Sequence, residues 1–178
     1  LAPQGLSTGV TAIAAGTRHT CALLDGGAIR CWGENAHGTL GDDTAQNSNV
    51  PIVASAAPAN VAELSLGTER TCARTSEGAV YCWGRGTEGE LGDGSRTNSQ
   101  LPVLVRGIAQ GAVRVATGAF QTCALMAGGT VSCWGWQGFG AVTDAYDSPV
   151  AIDIAGVANV AVFGVTEVVP GMLKQIGR

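Results

Sequence analysis

The chain has 178 residues, of which only 13% are charged and 27 are glycine. This composition indicates one domain rich in turns and argues against a helical bundle or a disordered chain. The net charge is −4 and the ten lysines and arginines form no basic run, which argues against nucleic-acid binding. Because the sequence opens with Leu1 and not with an initiator methionine, we interpret it as a mature or trimmed chain.

A unit of 51 residues recurs along the chain. Cys21, Cys31 and the pair Trp32-Gly33 each recur twice at this spacing. An internal repeat of about 50 residues predicts a solenoid or a propeller. The repeats are placed at about 8–58 (repeat 1), 59–109 (repeat 2) and 110–156 (repeat 3), with a partial repeat 4 at about 157–178.

Each repeat has the pattern of short β-strands. In repeat 1 the segments VTAIAAG, HTCALL and AIRCWG are bounded by glycine and show no helical spacing. If Cys21 faces Cys31, the last two segments form a hairpin joined by Asp25-Gly26-Gly27. Such a three-residue connection needs glycine in a left-handed conformation. Gly78 and Gly129 occupy the corresponding position in repeats 2 and 3, so the hairpin register is predicted to be shared.

The six cysteines are predicted to form one disulfide within each hairpin. Pairing within the repeat gives every unit the same bond, and opposed β residues lie close enough to be bridged. Zinc sites and redox pairs use closer cysteine spacings, and neither His19 nor His37 recurs. Structural disulfides imply a secreted, periplasmic or cell-surface protein. The predicted bonds are Cys21–Cys31, Cys72–Cys82 and Cys123–Cys133.

Repeat 3 departs from the pattern after its Trp-Gly pair. If Pro149 is the counterpart of Pro51, about four residues and the Leu-Gly loop are missing. Trp136, Phe139 and Tyr146 do not recur and are candidate binding residues, since aromatic side chains are enriched in binding hot spots. The alternative is that these aromatics fill the gap left by the missing loop residues.

The sequence predicts no catalytic residue, metal site or cofactor. His19 is interpreted as structural and His37 as a solvent-exposed loop residue, because no nucleophile accompanies either of them. Asp42 adjoins Asp43 without the alternating carboxylates of a calcium loop, so Asp42 and its counterpart Asp93 are interpreted as turn-capping residues. The apolar stretch 154–169 is too short and too polar for a membrane span.

The segment Gly16–Asp42 resembles a repeat of the regulator of chromosome condensation family, in the disulfide-bearing version of exported bacterial proteins. Residues 67–93 match well with Arg70 in place of the histidine, and repeat 3 matches in part with Gln121 there. The resemblance implies an all-β fold, a β-propeller of four-stranded blades with one blade per repeat. The recurring tryptophans are then predicted to pack between blades: Trp32, Trp83 and Trp134.

About three and a half repeats make half of a seven-bladed ring. Three arrangements fit this length: a fragment of a longer polypeptide, a homodimer that completes the ring, or an open arc whose edges other proteins cover. The resemblance implies a loop surface that binds a protein partner or joins a multi-subunit assembly. We therefore expect a non-enzymatic binding or structural subunit outside the cytoplasm. The alternatives are a secreted inhibitor of an enzyme and a guanine-nucleotide exchange factor, which paired cysteines and an acidic chain disfavour.

Overall fold

Three four-stranded antiparallel sheets make up the computed structural model, which describes residues 6–136 and 147–153. Each sheet uses four consecutive strands in chain order, lies within one of the three repeats, and is called a blade below. Blade 1 comprises β1 Val10–Ala15, β2 His19–Leu24, β3 Ile29–Gly33 and β4 Ser48–Val53. Blade 2 comprises β5 Val61–Leu66, β6 Arg70–Thr75, β7 Val80–Gly84 and β8 Ser99–Leu104. Blade 3 comprises β9 Ala112–Thr117, β10 Gln121–Met126, β11 Val131–Trp136 and β12 Asp147–Asp153.

The predicted hairpin register is confirmed in all three blades. Cys21 lies opposite Cys31, and the other two cysteine pairs face each other in the same way. The last residue of each connecting loop is a glycine with positive φ, +85° at Gly27, +84° at Gly78 and +80° at Gly129. Each pair is bonded in the structure, with the Cα atoms 4.1 Å apart.

Neighbouring blades meet along their first strands. Strand β1 contacts β5, and β5 contacts β9. Glycine permits this approach, because a Cβ on Gly16 would lie 2.4 Å from the Gly67 carbonyl oxygen and one on Gly67 would lie 2.6 Å from that of Gly118. The first strands therefore stand side by side, as they do when blades are arranged around an axis.

The prediction that tryptophans pack between blades is confirmed for Trp83 and Trp134, which are fully buried. The Trp83 indole N–H donates to the Thr39 carbonyl oxygen of blade 1 at 3.0 Å. Both rings lie against a Leu-Gly loop of the preceding blade, at Gly41 and Gly92 respectively. Trp32 is only half-buried, because within the described residues no blade precedes blade 1.

The deletion expected in repeat 3 is smaller than the sequence indicated. Gly33 pairs with Ser48, 15 positions further on, whereas Gly135 pairs with Ser148, 13 positions further on. Two residues are missing, so the estimate of about four is wrong. The error came from equating Pro149 with Pro51, because backbone register and not proline fixes the alignment of β12. The partial repeat 4 lies outside the described residues.

Candidate protein-interaction site

Two positions at one end of every blade face each other across the sheet. The first is in the turn before the second strand, and the second follows or ends the third strand. In each blade the backbone N–H of the second position donates to the carbonyl oxygen of the first, at 2.8–3.0 Å. The paired positions are Arg18 and Glu34 in blade 1, Glu69 and Arg85 in blade 2, and Phe120 and Trp136 in blade 3.

Blade 3 differs from the other two in the chemistry of this pair. Blades 1 and 2 hold ion pairs, with nitrogen–oxygen distances of 3.1 Å and 3.6 Å. In blade 3 the rings of Phe120 and Trp136 meet edge to face, with centroids 5.8 Å apart. Phe120 is 37% exposed and Trp136 is 42% exposed. An exposed aromatic pair of this kind is a typical anchor for a protein partner.

Arg85 of blade 2 links the aromatic pair to a group of carboxylates. Its guanidinium carbon lies 5.2 Å from the centroid of the Phe120 ring, within range of a cation–π interaction. The same guanidinium lies 3.6 Å from Glu69, 3.9 Å from Glu88 and 3.7 Å from Glu90. Three carboxylates therefore share one arginine beside the ring.

Arg70, also of blade 2, holds the turn that carries Phe120. Its buried guanidinium donates to the Thr122 hydroxyl at 2.9 Å and to the carbonyl oxygens of Ala119 and Gly118 at 2.9 Å and 3.1 Å. It also donates to the Gln121 carbonyl oxygen. Burial lowers the pKa of Arg70 to about 10, an effect that the charge of Glu90 partly opposes. The position of Phe120 is thus fixed by the neighbouring blade.

His19 occupies the position of Arg70 at the junction between blades 1 and 2. Its Nε2 lies 2.8 Å from the Thr71 hydroxyl, which itself donates to the Thr39 carbonyl oxygen at 2.9 Å. Because the hydroxyl has one proton, Nε2 must be the donor to it. Burial lowers the pKa of His19 to about 4, although the charge of Glu34 acts in the opposite direction. This geometry gives His19 a role in joining blades.

We expect His19 to make the protein less stable in acid. In the unfolded state the His19 side chain takes up a proton below about pH 6.5, whereas in the folded protein its lowered pKa keeps it neutral down to about pH 4. The free energy of unfolding should therefore fall across this interval, by at most about 3 kcal/mol. Urea unfolding of the wild type and His19→Gln at several pH values tests this. The free energy of unfolding of the variant should lack the decrease that His19 causes between pH 6.5 and about pH 4. Parallel pH profiles for the two proteins would contradict it.

His37 lies in the loop between β3 and β4, and 34% of its side chain is exposed. It contacts Asn98 at 3.2 Å and Glu69 at 3.5 Å, both in blade 2. It also borders a polar cavity of about 350 Å³ between the loops of blades 1 and 2.

Within residues 6–136 and 147–153, no group of three or more metal-ligating side chains converges.

The turn-capping roles of Asp42 and Asp93 are confirmed. Asp42 accepts from the Thr44 hydroxyl at 2.7 Å, and Asp93 accepts from the Ser95 backbone N–H at 2.9 Å. Both carboxylates thus bond two residues further along the chain, as aspartates in turns commonly do.

The structure places one of the three candidate binding residues in this site. Trp136 is exposed beside Phe120, whereas Phe139 and Tyr146 lie outside the described residues. Sequence reasoning missed Phe120, although its position holds a charged residue in the other two repeats. Arg85 was also missed, because its contact with Phe120 exists only between blades.

Repeated four-stranded blades that meet through equivalent positions define the chain as a β-propeller-type repeat protein. Sequence profiles of the regulator of chromosome condensation (RCC1) repeat match residues 10–39 and 61–90, and residues 77–125. The chain belongs to the regulator of chromosome condensation repeat family.

Similar proteins include the human E3 ubiquitin-protein ligase HERC2, 36% identical over 155 residues, which cover 79% of this chain and 3% of that protein. The ultraviolet-B receptor UVR8 of Arabidopsis thaliana is 32% identical over 100 residues, 56% of this chain and 23% of the receptor. The structure of Prp20p from Saccharomyces cerevisiae matches with a TM-score of 0.71 at 23% identity, covering 82% of this chain and 38% of Prp20p. The chain thus spans well under half of each of these proteins, and the structural likeness supports the fold alone.

Proposed function

We propose that this chain is a non-enzymatic, protein-binding part of a propeller that acts outside the cytoplasm. The observation that carries the proposal is the exposed Phe120–Trp136 pair, which stands where blades 1 and 2 hold ion pairs. Prp20p, which shares the fold, has been studied for its binding to Gsp1p and histones. No particular contact of the described residues favours enzyme inhibition or nucleotide exchange over other forms of protein binding.

The outer face of blade 1 supports a second kind of contact, with a further repeat, a second copy or another subunit. Ile13 is 67% exposed and Val10 is 43% exposed on β1, and Trp32 is half-buried. The corresponding face of blade 2 is covered by blade 1, where Gly41 lies against Trp83. The half-ring is therefore proposed to be completed by more protein, with a homodimer as one form.

Site-specific photo-crosslinking tests the proposed surface. A photoreactive amino acid replaces Trp136 in one variant and Ala127 in a matched control, both expressed in the native host. Ala127 is exposed in the β10–β11 loop, at the opposite end of blade 3. We expect one defined protein to be crosslinked from position 136 and not from position 127. Equal crosslinking from both positions, or none from 136, would contradict the proposal.

The proposed compartment depends on the three disulfides. We expect acid-quenched, alkylated protein from the host to carry no free thiol before reduction and six after it, because all cysteines are paired in the structure. Cell fractionation should recover the same oxidised protein outside the cytoplasm. A cytoplasmic pool with six free thiols would overturn the proposed location.

A further inference from the structure

Resting on the proposed function, we infer that the partner presents a lysine or arginine side chain to the Phe120–Trp136 pair, within a basic segment that also carries apolar residues. The aromatic rings supply the apolar contact and a cation–π surface, and the neighbouring carboxylates supply the charge. We call Phe120, Trp136, Glu69 and Glu88 together the rim surface.

Among the residues that the structure describes, carboxylates outnumber cations around the aromatic pair. Arg85 lies within 4 Å of Glu69, Glu88 and Glu90, so its one positive charge is shared by three acids. The side chains of Glu69 and Glu88 remain 29% and 39% exposed. Arg70 and Glu90 are both buried and their opposite charges offset each other, which leaves Arg85 as one cation beside the two exposed carboxylates of Glu69 and Glu88. A cation approaching the rim surface is therefore attracted, whereas an anion is repelled.

The ring chemistry favours the same kind of partner. The Phe120 ring already has the guanidinium of Arg85 within cation–π range. Trp136 is the larger and more exposed ring, and indole is the best cation–π acceptor among the side chains. Arg85 contacts both Phe120 and Glu88, so a cation bound over the aromatic pair lies close to the carboxylate of Glu88. Exposed charges attract each other over about 10 Å at 0.1 M salt, and the carboxylate therefore acts on such a cation.

The rim surface is also held rigid before binding. Arg70 donates to the carbonyl oxygens of Gly118, Ala119 and Gln121, on both sides of Phe120. The Trp136 backbone N–H donates to the Phe120 carbonyl oxygen at 3.0 Å. A surface whose backbone is fixed in this way loses little conformational entropy on binding, which favours specific recognition of a short segment.

Two fluorescein-labelled peptides test the inference. One repeats Lys-Leu-Gly and the other repeats Glu-Leu-Gly at the same length, and binding to the oxidised protein is followed by fluorescence anisotropy. We expect the basic peptide to bind and the acidic peptide not to bind. Trp136→Ala should weaken the basic peptide about tenfold or more, as loss of a hot-spot aromatic does. Glu88→Gln should weaken it roughly threefold, as loss of a rim charge does.

Glu77→Gln is the matched control, because Glu77 is an exposed glutamate in the hairpin loop at the other end of blade 2. It should leave binding unchanged, and unfolding curves should show that all variants are folded. Equal effects of Glu77→Gln and Glu88→Gln, binding that survives Trp136→Ala, or no binding of the basic peptide would each overturn the inference. Preferential binding of the acidic peptide, lost in Trp136→Ala, would refute the basic partner and leave the proposed surface intact.

Discussion

Arg70→Met is expected to lower the free energy of unfolding by about 3–5 kcal/mol, because it removes a buried guanidinium that bonds four oxygens of blade 3 and offsets the charge of Glu90. Glu90 is fully buried, and its Oε1 has no hydrogen-bond partner even in the native structure. Without Arg70 this carboxylate loses one favourable charge and keeps Arg85, at 3.7 Å. The Thr122 hydroxyl and the carbonyl oxygens around Phe120 also lose their donor. Urea unfolding of the oxidised protein at pH 7 measures the loss.

Arg74→Met is the matched control, since Arg74 lies on the same strand and pairs with Glu63 within blade 2 at 2.8 Å. It should cost only about 1 kcal/mol, because this pair is closer to solvent and Glu63 keeps its other ion pair, with Arg114 of blade 3 at 3.7 Å. If Arg70→Met costs no more than Arg74→Met, the buried guanidinium does not hold blades 2 and 3 together.

A double variant separates the effect of the Glu90 charge from the effect of the hydrogen bonds that Arg70 donates to blade 3. Arg70→His with Glu90→Thr places at the blade 2–blade 3 junction the residues found at the blade 1–blade 2 junction, His19 and Thr39. Thr122 corresponds to Thr71 there and is available to the new histidine. We expect this variant to be more stable than Arg70→His alone, because the single change leaves buried Glu90 with the charge of Arg85 but without that of Arg70, whereas the double variant buries no carboxylate there. A double variant as unstable as the sum of both single changes would contradict this coupling.

Gly41→Ala is expected to destabilise the protein by about 2–5 kcal/mol for two separate reasons. Its φ is +73°, where a Cβ costs about 1–2 kcal/mol. The new Cβ would also lie 2.7 Å from the indole nitrogen of buried Trp83, and such overpacking costs about 1–3 kcal/mol. The substitution therefore weakens the contact by which blade 1 covers blade 2.

Two other glycines serve as controls for these two effects. Gly26 has φ +77° but open space around its Cβ position, so Gly26→Ala should cost only the backbone strain. Gly128 has neither positive φ nor a close neighbour, so Gly128→Ala should change stability by less than about 1 kcal/mol. Measured by unfolding curves, the loss of stability should be largest for Gly41→Ala, smaller for Gly26→Ala and smallest for Gly128→Ala. A Gly41→Ala protein as stable as Gly26→Ala would show that Trp83 does not press on the loop.

Within each blade, the architecture follows from patterns that can be read in the sequence alone. The 51-residue spacing defined the repeats, and the facing cysteines with glycine at the loop end defined the hairpin register. These features are readable because strand alternation and turn chemistry depend on residues close together in the chain. Recurring Trp83 and Trp134 also indicated the junctions, since a large ring repeated at a fixed position needs a repeated partner.

The contacts between blades, in contrast, become visible only when the sheets are packed together. Arg70 reaches the turn around Phe120, and Arg85 reaches its ring, across about one repeat or less of sequence. No local pattern specifies such contacts, because they arise when separate sheets pack and bring positions of different blades together. The register of β12 was misjudged for a related reason, since strand pairing and not proline spacing aligns it with β11. The candidate site depends on packing between blades, whereas the blades themselves follow from local sequence.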